Sequence, residues 1–106
     1  MLRSKMPENN LKMVMIVYYE AMDMEIMEVL RKCCMVYYTK IEGCLGRGEL
    51  SGPKHGNDIW PGKNNVVYVA CLPETAESII GCVEALRKKH SKEGIKAFVW
   101  SLESMT

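Results

Sequence analysis

A chain of 106 residues, 48% hydrophobic and 25% charged, has the make-up of one ordinary globular domain with a modest core. Its formal net charge of +1 makes no electrostatic case for nucleic acid or a charged membrane surface. The longest apolar run, Met13 to Tyr19, is too short to span a bilayer, so the protein is not expected to be membrane-embedded.

Residues 1–11 are polar and unpatterned and read as a flexible N-terminal segment, leaving 12–106 as a single domain. Lys12 to Tyr19 is an almost unbroken apolar run, which predicts a strand buried on both faces. Asp23 is placed to cap a helix through its carboxylate. Ile26, Val29, Leu30 and Cys33 then recur at the i, i+3, i+4, i+7 spacing of an amphipathic helix, with Glu28 and Lys32 one turn apart on its wet side. Met35 to Ile41, rich in β-branched and aromatic residues, predicts the second strand.

Gly43 to Asn65 breaks the pattern. It holds six of the eight glycines and two of the four prolines, and no helical or alternating period survives in it. A patternless connection this long in a small domain is usually functional or disordered, and Leu50, Ile59 and Trp60 are poor residues for a disordered linker. The prediction is a working loop on a rigid scaffold, with its middle (49–59) mobile and its flanks (43–48 and 60–65) ordered. Val66 to Leu72 reads as the third strand. Pro73 then opens a second helix whose apolar stripe is Ala76, Ile79, Ile80, Val83 and Leu86. Glu74 and Glu77 near its start and Arg87, Lys88, Lys89 and His90 near its end complement its dipole. Gly94 turns the chain into a fourth strand, Ile95 to Leu102.

The order strand, helix, strand, strand, helix, strand predicts an α+β, ferredoxin-like βαββαβ fold: a four-stranded antiparallel sheet with two helices on one face. Strands one and three are apolar on both sides, so the uncovered face is expected to be an interface between copies of the chain. Five cysteines with no secretory leader ahead of them predict free thiols in a reducing cytoplasm, and nine methionines suit irregular core or subunit-interface gaps.

No acid–base pair or activated nucleophile stands out, and catalysis is not expected. Adjacent Cys33 and Cys34 cannot easily meet one metal ion. Cys33, Cys71 and Cys82 read as buried thiols, and Cys44, where the second strand enters the loop, as the exposed one. Gly46-Arg47-Gly48 and Ser51-Gly52-Pro53 can form backbone concavities for an anion, with Arg47 adding charge. Lys63 and Lys96 are usable phosphate partners, or simply solvated lysines. Trp60 either buries itself to anchor the loop exit or stacks on a ligand.

In the segments Gly43-Cys44-Leu45-Gly46-Arg47 and Gly94-Ile95-Lys96-Ala97-Phe98-Val99, and in its element order, the chain resembles the PII-type nitrogen-regulatory signalling proteins, and more closely their PII-like relatives. The first segment is similar to the family's Gly-x-Gly-Arg loop root with one extra residue. The second is similar to the Gly-Lys-Ile-Phe-Val-like run that ends its other nucleotide-contacting loop. The resemblance implies a cytoplasmic homotrimer with a small anionic effector, such as an adenine nucleotide, in clefts between subunits. Gly46, Arg47, Gly48, Lys63, Gly94 and Lys96 would line that cleft. The loop, through Ser51, Lys54, His55 and Trp60, would signal to a target protein, a transporter or an enzyme, with no nucleic acid involved. The alternative is a metal-sensing PII-like protein associated with a transporter, with His55 and Cys44 as candidate ligands beside the methionines. Two segments of the best-known members have no counterpart: the tyrosine-bearing stretch is missing from residues 49–60, and the arginine-bearing segment that completes their ATP site is not reached by Thr106.

Overall fold

The computed structural model describes residues 10–48, 52–54 and 63–106. Strand β1 (Lys12–Tyr19) passes through a 3-10 turn (Glu20–Met22) into helix α1 (Asp23–Lys32). Strand β2 (Thr39–Cys44) follows, then a ribbon of β3 (Gly46–Gly48) with β4 (Gly52–Lys54). Strand β5 (Asn64–Cys71), helix α2 (Pro73–Lys89) and strand β6 (Ile95–Ser101) complete the described chain. The main sheet is antiparallel in the order β2-β5-β1-β6, the ferredoxin-like arrangement the sequence predicts.

Alternation along the strands sorts the side chains into two layers. Val14, Ile16 and Tyr18 of β1, Val67, Val69 and Cys71 of β5 and Ile95 of β6 point to one side and are buried. There they meet Met22, Ile26, Val29 and Leu30 from the first helical segment and Ala76, Ile79 and Val83 from α2. The reverse face carries Met13, Met15 and Val17, flanked in register by Ala70, Tyr68 and Val66 on β5 and by Trp100, Phe98 and Lys96 on β6. Among the described residues no helix covers this face. Phe98 and Trp100 are each 44% exposed and Ile41 is 47% exposed.

Several local expectations need correction. The second strand begins at Thr39, not Met35; residues 35–38 stay outside the sheet, and Val36 and Tyr37 are 70% and 82% exposed. β-propensity marked these residues, but the chain leaving α1 joins β5 only where Thr39 comes opposite Tyr68. Glu28 makes its hydrogen-bonded ion pair with Arg31, and the charge of Lys32 one turn on adds a smaller attraction. The entry of the long loop is not patternless backbone, because Gly46 pairs with Lys54, Arg47 with Pro53 and Gly48 with Gly52. Of the cysteines only Cys71 is buried; Cys33, Cys44 and Cys82 are half-buried, and the exposed thiol is Cys34. Helix α1 ends in a Schellman turn: Met35 N–H donates to the Leu30 carbonyl at 2.8 Å and Cys34 N–H to that of Arg31 at 3.0 Å. Cys34 occupies the left-handed position of that turn, φ +61°, where glycine is usual. The turn points Cys33 inward and Cys34 outward. Residues 1–9, Ser51, His55 and Trp60, and with them the expected mobility of 49–59, lie outside the described residues.

Candidate functional site

The antiparallel order brings four strand ends to one edge of the sheet: the ends of β1 and β2 and the starts of β5 and β6. Tyr19 stands opposite Asn64, and its N–H donates to the Gly94 carbonyl at 2.9 Å. The Glu20 N–H reaches the Lys63 carbonyl at 2.8 Å, so the pairing runs on past the strand ends. On the other side Gly46 approaches Asn64 so closely that a Cβ there would collide with its amide. Gly46, Asn64, Tyr19 and Gly94 thus form one row across the edge. Two of the predicted cleft glycines stand at opposite ends of it.

Strand β2 enters this edge through a bulge. Ile41 pairs with Val66 and Cys44 with Asn64, so Glu42 and Gly43 together face the single residue Asn65. Gly43 takes φ +74°, which a side chain would strain, and its N–H donates to Asn65 Oδ1 at 3.2 Å. The bulge moves the chain by one position in the pleat and aims it into the β3–β4 ribbon.

Beneath the bulge lies a polar network that sequence reading missed. Tyr18 donates its hydroxyl to Asp23 Oδ1 at 2.6 Å. The Lys40 ammonium meets Asp23 Oδ1 and Oδ2 at 3.1 and 3.0 Å. The buried Asn65 amide donates to Asp23 Oδ1 at 3.3 Å while its oxygen holds Gly43. Asp23 therefore does not cap α1 as expected; the cap position falls to Met22 without a side-chain bond, and the carboxylate is taken by three tertiary donors. Burial pushes the Asp23 carboxyl up, but the hydrogen bonds from Tyr18 and Lys40 and the Lys40 charge outweigh it and leave it below the ordinary aspartate range. Burial and the bond to Asp23 drive the Tyr18 phenol well above the tyrosine range. The bond to Asp23 raises Lys40. One sequence signal pointed here: Lys40 is the single charged residue in the stretch Met35 to Ile41.

Glu20, Asp23, Glu42, Gly43, Lys63 and Asn65 line an open depression of about 550 Å³ at this edge. Lys40 is committed to Asp23 and lies 3.8 Å from Glu42. The depression therefore presents carboxylates suited to hydroxyl or amine donors. Of the predicted residues, Lys63 lines it and Gly46 and Gly94 flank the edge. Lys96 stands opposite Val17 and leaves the sheet on the open face instead. Arg47 and Gly48 belong by backbone to the ribbon that continues from the edge, as does Lys54. Among the described residues no three His, Cys, Asp or Glu side chains gather closely enough to hold a metal ion, and no helix is long and apolar enough to cross a membrane.

No family model and no curated protein sequence matches the chain. Solved structures do. A PII-like signalling protein from Thermus thermophilus superposes with a TM-score of 0.64 at 24% identity, over 87% of this chain and 86% of its own. CPII, a nitrogen-regulatory PII-like protein from Thiomonas intermedia bound to ADP, AMP and bicarbonate, superposes with a TM-score of 0.68 at 16% identity, over 87% of both chains. The fold is that of the PII-like signalling proteins. In this PII-like fold the long loop springs from the bulge at Gly43, and the polar network sits directly under its root. The apo form of CPII has the same fold, with a TM-score of 0.61 over 87% of this chain.

Proposed function

We propose that this chain is a PII-like regulator: a cytoplasmic homotrimer that binds an adenine nucleotide or a related small anion at the loop-root edge and signals through residues 43–65 to a target protein, a transporter or an enzyme. The observation that carries the reading is the row Gly46, Asn64, Tyr19 and Gly94, which sets the loop root and the start of the last strand along one edge of the sheet. A ligand seated there touches both the loop root and the rigid sheet, which is what a loop-ordering switch needs. The fold shared with CPII, whose structures hold ADP, AMP and bicarbonate, names the ligand class to try first.

The carboxylates of the depression repel phosphate, so the effector's negative charge belongs with Arg47, Lys63 and Lys96, and its hydroxyl and amine donors with Glu20 and Glu42. The open sheet face supports assembly, since a second and a third copy would remove Phe98, Trp100 and Ile41 from water. A subunit cleft at this edge would bring basic groups of one chain against another. We assign the site a regulatory role and no catalysis.

Calorimetry with ADP, AMP and bicarbonate tests the reading. The intact chain should bind at least one of them, and Arg47→Ala should weaken binding by roughly tenfold to a hundredfold, the worth of one charge-assisted contact. Arg47→Lys should recover only part, because an ammonium keeps the charge and loses the planar fork. No binding of any of the three, or full affinity in Arg47→Ala, would remove this reading of the site.

A further inference from the structure

Helix α2 lies beside the edge strand β6, and a groove of about 390 Å³ runs between them on the helical side of the sheet. Its apolar floor comes from Ala76 and Ile80 of α2 and from Val99 of β6. Val99 stands opposite the buried Val14 yet is itself 42% exposed, so the groove leaves apolar surface of the inner layer open to water. Strand β6 pairs with β1 alone, and its outer edge has no partner strand among the described residues. Glu77 and Glu84 also line the groove, and among the described residues neither has an ion-pair partner. Gly81 between them is bare: a Cβ there would meet nothing within 4 Å, so a second backbone can come close to the helix.

The chain itself supplies a segment of matching chemistry. Lys12 lines one end of the groove, and Leu11 just before it is buried, its carbonyl accepting the Leu102 N–H at 3.0 Å. The residues ahead of Asn10 are therefore tethered at the mouth of the groove, at high effective concentration. They carry apolar Leu2 and Met6 around the cations Arg3 and Lys5. Extended, they span about 30 Å, whereas the helix from Pro73 to Glu84 measures about 16 Å, so the tether reaches the whole groove. We propose that residues 2–6 of this chain dock in the α2–β6 groove, with Leu2 and Met6 against Ile80 and Val99 and with Arg3 and Lys5 paired to Glu84 and Glu77. The docked segment removes the apolar floor from water and covers the outer edge of β6. The groove opens at the end of the sheet opposite the loop root, so this contact is independent of effector binding.

Hydrogen exchange on the full chain tests the docking. The amides of residues 3–6 should exchange about tenfold more slowly than in a free peptide of residues 1–9. Glu77→Lys with Glu84→Lys should return them to the peptide rate, and so should Arg3→Glu with Lys5→Glu. All four changes in one chain should restore the protection. Gly81→Leu, which fills the groove and suits a helix, should release the segment while α2 stays protected. The two reversed chains refolded together should restore nothing; protection regained in that mixture gives the groove to another copy's segment and overturns the assignment. Peptide-like exchange in the wild type overturns the proposal. So does protection that survives Gly81→Leu or the reversal of Glu77 and Glu84, or that the fourfold change fails to restore.

Discussion

The side-chain oxygen of Asn65 accepts the backbone N–H of Gly43 at 3.2 Å, and through this one bond the buried end of β5 holds the bulge from which the long loop departs. The amide of the same residue donates to Asp23, so loop root, helix start and central sheet share one side chain. Replacing Asn65 by Ala leaves the Gly43 N–H without its acceptor and takes a donor from Asp23. The expected cost is about 1–3 kcal/mol, read from urea denaturation, with faster hydrogen exchange at Gly43. An unchanged midpoint would show that water replaces both bonds.

Asp23 makes stability depend on acid in a stated direction. Its folded carboxyl sits below the 3.8 of an unperturbed aspartate, so its contribution is complete above that value and is lost as the pH falls below it. The wild-type urea midpoint should drop as the pH is lowered from about 5 to about 3. Asp23→Asn, which cannot ionise, should start lower because Lys40 loses its partner and should drop less over the same interval. Parallel curves would place the acid sensitivity elsewhere.

Two left-handed positions give opposite expectations. Gly43→Ala forces a side chain into φ +74° and should destabilise by about 1–2 kcal/mol. Cys34→Gly relieves a cysteine held at φ +61° in a turn that favours glycine and should stabilise by about 0.5–1 kcal/mol. Thermal melting of the two variants decides the pair, and a shift of the same sign in both would contradict the backbone argument.

The open sheet face makes a prediction about mass. Light scattering of the wild type should report three times the 12.1 kDa chain mass. Phe98→Glu combined with Trp100→Glu places two charges where apolar side chains should meet, and should give the mass of one chain with helical content preserved. A wild type that scatters as a monomer would exclude the homotrimer.

Much of the fold was legible because periodicity is local. The unbroken apolar run of β1, the stripe from Ile26 to Cys33, Pro73 opening α2 and the turn at Gly94 each declare themselves within a few residues, and their order determined the ferredoxin-like sheet. The exposed apolar face was also readable, since β1 and β5 carry hydrophobic residues on both sides of the pleat. Gly46 and Gly94, singled out separately in the sequence, come to one edge of the sheet. What lay beyond reach was anything made by contact across the chain. Residues 35–38 carry the propensity of a strand but stay outside the sheet, and strand formation is settled by pairing. Asp23 looked like a helix cap because a carboxylate before an apolar stripe usually serves that purpose. Only the folded sheet brings Tyr18, Lys40 and Asn65 to it, across separations of 5, 17 and 42 residues. Three donors at hydrogen-bond distance outcompete the orphan amides of a helix end, and no local pattern records that competition.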